Sequence, residues 1–60
     1  MKKYRAEFDY DAADSTELSF RVGDLLLVSK QNEDWFFAKI EGREAEGWVP
    51  SNFLTLVGAH

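Results

Sequence analysis

Polar and apolar side chains alternate strictly along Glu17-Leu18-Ser19-Phe20-Arg21-Val22. An apolar residue at every second position is the repeat of a strand with one buried face, so this segment is expected to be a half-buried strand that Gly23-Asp24 ends. Tyr4 to Tyr10 gives an earlier strand. Leu25 to Val28 is a short apolar run, Lys30 to Asp34 a polar turn, and Trp35 to Ile40 a second run. The charged stretch from Glu41-Gly42 to Gly47 reverses the chain, and Trp48-Val49 resumes an extended course. No apolar spacing of three and four residues persists, so no helix longer than one turn is expected. Asp14-Ser15-Thr16-Glu17 has the form of a helix capping box, but the two-residue period after it argues against a helix. Five short strands separated by short turns predict an all-β fold, a small and strongly bent barrel or sandwich.

Parity along these strands sorts the large side chains. Leu18 and Phe20, Leu26 and Val28, and Phe36, Ala38 and Ile40 each share one face of their strands and are the expected core, with Ala6. The chain carries two Trp, two Tyr and five Phe, more aromatic bulk than so small a core can enclose. Phe8, Tyr10, Trp35, Trp48 and Phe53 are left as a surface set, and exposed aromatic area marks binding sites.

Sixty residues make one domain, with an expected folded surface of about 4,000 Å² and no room for a deep substrate cavity. The net charge of −4 opposes nucleic acid, because neutralising phosphates with Lys and Arg supplies most of that affinity. No apolar run approaches the roughly 20 residues of a membrane span, so no membrane partner is expected. Met1-Lys2-Lys3 has no apolar stretch behind it, and cysteine is absent; both point to a cytoplasmic chain without a secretory signal.

Catalysis is not expected. The single histidine, His60, ends the sequence and is expected to fray, which leaves no rigid base for a nucleophilic triad and no histidine ligand for a metal. Asp9, Asp11 and Asp14 superficially resemble a calcium loop, but glycine is missing from the sixth position and Phe20 stands where a twelfth-position Glu belongs. Gly23, Gly42, Gly47 and Gly58 are isolated and form no phosphate cradle, so neither metal nor cofactor is expected. Acids do lie beside the surface aromatics: Asp11, Asp14 and Glu17 come after Tyr10, and Glu33 and Asp34 precede Trp35. An aromatic groove rimmed by carboxylates suits a proline-rich peptide carrying Lys or Arg, because a polyproline II helix is preformed and stacks on flat rings.

The residues also resemble a known family. Ala6-Glu7-Phe8-Asp9-Tyr10 resembles the ALYDY segment of Src-homology 3 (SH3) domains, and Glu17-Leu18-Ser19-Phe20 with Gly23-Asp24 and Leu26-x-Val28 resembles the family's next strand. Trp35-Phe36 stands where the family has paired aromatics, and Gly47-Trp48-Val49-Pro50-Ser51-Asn52-Phe53 is similar to its GxxPSNY segment. The match covers about residues 4 to 57 of the single domain 1–60. It implies a five-stranded SH3-type barrel with an RT loop near 9 to 17, an n-Src loop near 30 to 34, a distal turn near 41 to 46 and a one-turn 3₁₀ helix at Ser51 to Phe53.

The same resemblance implies a site for proline-rich PxxP segments. Phe8, Tyr10, Pro50 and Phe53 would wall two X-Pro pockets, with Asn52 as a hydrogen-bond donor and Trp35 between these pockets and a specificity pocket. Glu17 falls at the acceptor for a flanking Lys or Arg, and Asp14, Glu33, Asp34, Trp35 and Trp48 complete that second pocket. Phe8 and Phe53 replace the family's more usual tyrosines, which removes two hydroxyl donors and keeps the flat walls. Such a module is expected to be monomeric, within an adaptor, cytoskeletal or signalling protein. The alternative is a structural or dimerisation module. Leu27 and Phe37 have outward parity on neighbouring strands where polar residues are more usual, and together they form a candidate second surface.

Overall fold

The structure, a computed structural model, describes residues 1–58; the expectation for His60 lies outside the described residues. The strands are β1 (Lys2–Ala6), β2 (Leu25–Gln31), β3 (Trp35–Ile40), β4 (Glu46–Pro50) and β5 (Leu54–Leu56), with a single 3₁₀ turn at Ser51–Phe53 before the last. They form one antiparallel sheet in the order β4-β3-β2-β1-β5. Among the described residues no helix is long and apolar enough to cross a membrane.

Alternation places most of the core as the sequence predicts, with Val49 added and Phe36, expected inside, only half-buried. Leu26 and Val28 of β2 and Ala38 and Ile40 of β3 turn to the same side as Ala6 of β1 and Val49 of β4, and Leu18 and Phe20 close over them from the long β1–β2 connection. All eight are buried, and Tyr4, Tyr10, Phe36, Phe53 and Leu54 pack around them half-buried. The accessible surface is 4069 Å², the size expected for a chain of this mass.

Two expected strands change. The first is displaced: it spans Lys2–Ala6 and ends well before Tyr10. Beyond Ala6 the backbone turns outward, with the Glu7 N–H donating to the Phe53 carbonyl at 2.9 Å. The second, Glu17 to Val22, is not a strand: Glu17 bridges to Trp48 of β4, and Phe20 bridges only to Tyr10 within the same connection. Side chains take the place of ladder partners there: the Asp24 carboxylate accepts from the Arg21 N–H at 2.9 Å and the Asp9 carboxylate from the Val22 N–H at 2.7 Å. The alternation therefore holds for Leu18 and Phe20 but fails at Val22, which is 61% exposed. Gly23 comes next with φ 93°, a left-handed turn that side-chain-bearing residues resist. The fifth strand is supplied by Leu54–Leu56, which the apolar pattern did not single out.

The connections are set by these bounds. The RT loop is longer than expected, running from residue 7 to 24. The n-Src loop shortens to 32–34 because β2 continues to Gln31, and the distal turn occupies 41–45 because β4 begins at Glu46.

Candidate functional site

Phe53 is the hinge between core and surface. The 3₁₀ turn after Pro50 carries its ring to within 6.5 Å of Phe20 in the core, 5.5 Å of Tyr10 and 5.6 Å of Phe8, all edge-on. Phe8 is 58% exposed, so the cluster is apolar surface held from below by a buried ring. On the neighbouring strands Trp35 is the register partner of Pro50, so the two residues stand side by side on one face of the sheet. Asn52, on the same turn, is exposed. The structure thus brings Phe8, Tyr10 and Phe53 into contact and places Pro50 with Trp35 at the neighbouring strand ends.

The acidic rim is built separately. Glu17 lies at the foot of the RT loop, where the Leu18 N–H donates to the Trp48 carbonyl at 3.0 Å and the Trp48 N–H to the Thr16 carbonyl at 2.9 Å. This lacing brings two backbones so close that a Cβ on Gly47 would lie 3.0 Å from the Glu17 carbonyl carbon and the Thr16 oxygen, a contact tight enough that the backbone would have to shift to admit it. Glu17 Oε1 accepts from the Tyr10 hydroxyl at 2.5 Å and from the Ala13 N–H at 2.9 Å. The bond to Glu17, with desolvation and the charges of Glu17 and Asp14 behind it, pushes the Tyr10 phenol up to about 12. The Thr16 hydroxyl and N–H both donate to Asp14 Oδ1, and hold its carboxyl below the usual carboxylate range. The RT-loop acids do not converge on one point: Asp9 is engaged by Val22, Asp11 pairs with Arg21 at 3.0 Å, and Asp14 holds Thr16.

On the opposite rim Glu33 and Asp34 are exposed, and their backbones anchor the n-Src loop. Ser51 donates from Oγ to the Glu33 carbonyl at 3.1 Å and from its N–H to the Asp34 carbonyl at 2.9 Å. Asn32 Oδ1 accepts from the Trp35 N–H, which fixes the start of β3. Ser51 and Asn32 are positioning residues that sequence reasoning passed over; the serine directly after Pro50 was the available signal.

The expected Leu27/Phe37 surface is organised differently from a free apolar pair. Both are half-buried; Leu27 lies between Lys3 and Lys39, while the Phe37 ring meets Trp48 edge-on at 5.2 Å with Lys30 Nζ 5.7 Å from its centroid. A shallow depression of about 400 Å³ lined by Met1, Lys2, Lys3, Leu56 and Val57 contains none of the groove residues.

Known proteins match this arrangement over nearly the whole chain. A family model described as SH3 domain matches residues 5–51. The chain is 48% identical over 54 residues to the myosin ID heavy chain of Dictyostelium discoideum, covering 88% of this chain and 5% of that one. It is 46% identical over 56 residues to the protein-tyrosine kinase 6 of Mus musculus, covering 87% of this chain and 12% of the kinase. The chain therefore spans a small fraction of these relatives. Among solved structures, the C-terminal SH3 domain of myosin IB from Entamoeba histolytica bound to an EhFP10(GEF) peptide superimposes with a TM-score of 0.88 at 34% identity, covering 98% of this chain and 86% of that one. The SH3 domain of yeast NBP2 does so with the same score at 25% identity, covering 97% and 100%. With its five antiparallel strands, its 3₁₀ turn and these relatives, the chain belongs to the SH3 domain family of protein-interaction modules.

Proposed function

We propose that this domain binds proline-rich segments in the polyproline II conformation that carry a flanking Lys or Arg, and that it performs no catalysis itself. The observation that carries the reading is the contact between the two halves of the site. The ring cluster Phe8–Phe53–Tyr10 offers flat apolar walls for X-Pro units, and the Tyr10 hydroxyl holds the Glu17 carboxylate beside them. Prolines and a base on one peptide would then meet rings and an acid in a fixed relation. The related myosin IB domain, solved with a peptide, supports a peptide as the partner.

Trp35, Pro50 and Asn52 complete the X-Pro side of this reading. Glu17, with Asp14, Glu33, Asp34 and Trp48, makes up the basic side of this reading. The myosin and kinase relatives support a cytoskeletal or signalling parent protein acting in the cytoplasm. The net charge of −4 favours a cationic ligand over nucleic acid.

Titration with a proline-rich arginine peptide, read out by tryptophan fluorescence, tests the reading. Wild type is expected to bind with a fluorescence change, and Trp35→Ala to weaken binding about tenfold or more while remaining folded, because a half-exposed indole serves the ligand more than the core. Unchanged binding by the mutant would move the groove elsewhere. Absence of binding by wild type would favour the structural or dimerisation module.

A further inference from the structure

Four residues from four segments stand in one row across the sheet. Glu17 bridges to Trp48 of β4, Trp48 is the register partner of Phe37 on β3, and Phe37 is the partner of Lys30 on β2. The Trp48–Phe37 ring contact and the Lys30 ammonium over Phe37 show that the last three share a face. A bulge creates the far end of the row. The register shifts between Val28 and Lys30, so that Lys30 stands opposite Phe37 where uninterrupted pairing would place Ser29.

This row adjoins the groove. Trp35 and Phe37 are alternate residues of β3, as Pro50 and Trp48 are of β4, and Trp35 pairs with Pro50 in the next row on the same face. From the Glu17 backbone outward the row therefore runs to indole, phenyl and ammonium, with the Glu17 carboxylate held at its near end by Tyr10 and Ala13. With strands about 4.8 Å apart, three steps span roughly 14 Å, the reach of about four residues of extended peptide.

We propose that this strip receives the continuation of the proline-rich ligand beyond its basic residue, with an apolar side chain on Trp48 and Phe37 and an acidic one at Lys30. The inference rests on the groove reading above. Continuity with the groove argues for the same peptide as occupant, and the charge at Lys30 selects an acid, about four residues past the base on the side away from the prolines. A second copy of the domain is the competing occupant.

Three synthetic peptides test it by titration: a proline-rich core ending in Arg, the same core extended by four residues with Leu in the middle and Glu last, and the extended form with Lys last. Wild type is expected to bind the Glu-ended peptide about threefold or more tightly than either other, the scale of one partly exposed ion pair. Lys30→Glu is expected to reverse the preference between the two extended peptides, and Phe37→Ser to weaken both while leaving the core peptide unaffected. Equal binding of all three by wild type would overturn the extension and leave the groove intact. No binding of the core peptide would overturn the groove reading and the extension with it. A dimer seen by sedimentation that Phe37→Ser dissolves would assign the strip to a second copy and overturn the proposal.

Discussion

The Tyr10 hydroxyl donates to Glu17 Oε1 at 2.5 Å, so the one tyrosine hydroxyl of the proposed X-Pro walls is turned toward the acidic rim. Phe8 and Phe53 carry no hydroxyl, so in the proposed groove Asn52 and the Trp35 indole are the donors offered to ligand carbonyls. Tyr10 thus joins the two halves of the site through its oxygen, and through its ring it packs on Phe20 and Phe53.

A first prediction concerns pH. The folded Tyr10 phenol is raised from 10.0 to about 12, first of all because its proton is held by Glu17. A raised pKa means that the folded state favours the protonated form, so this contribution to stability is complete below pH 10 and is lost as pH rises from 10 through 12. Spectrophotometric titration of the phenols in Glu17→Gln is expected to move the Tyr10 transition back toward 10. A transition unchanged from wild type would count against the hydrogen bond.

Glu17→Lys is expected to weaken proline-rich peptides with Arg or Lys by about tenfold more than neutral proline-rich peptides, since it puts a like charge at the acceptor. Calorimetric titration with matched peptides measures the ratio. Equal losses for both would show that Glu17 serves only to support the RT loop.

Gly47→Ala tests the lacing of the RT loop onto β4. A Cβ there meets backbone atoms of Thr16 and Glu17 at 3.0 Å, and neither can rotate away. Destabilisation of about 1 to 3 kcal/mol is expected, read as a lower midpoint in urea. A wild-type midpoint would mean that the loop yields without cost.

Ala6 and Ala38 are 0% and 1% exposed at the centre of the core. Ala6→Leu or Ala38→Leu adds methylenes where no space exists, and about 1 to 3 kcal/mol of stability is expected to be lost. An unchanged denaturation midpoint for either would mean that the core accommodates the larger side chain there.

Much of this molecule is determined by its sequence alone, because burial in a sheet obeys a two-residue period that each segment carries in itself. Most of the core, the start of β2, the run of β3, the 3₁₀ turn at Ser51–Phe53 and the aromatic cluster around Phe53 were legible in this way or through the family resemblance. Periodicity reports which side a residue faces, and it does not report which backbone it pairs with. Glu17 to Val22 has the period of a strand and buries Leu18 and Phe20 accordingly, yet its N–H groups at Arg21 and Val22 go to the Asp24 and Asp9 carboxylates. Leu54–Leu56 has too short a pattern to stand out and becomes a strand because β1 offers it a free edge. The bond from Tyr10 to Glu17, the close approach at Gly47 and the bulge that brings Lys30 opposite Phe37 join residues 7 or more positions apart. Such contacts form only when the sheet has closed and its registers are set, so tertiary structure alone decided them.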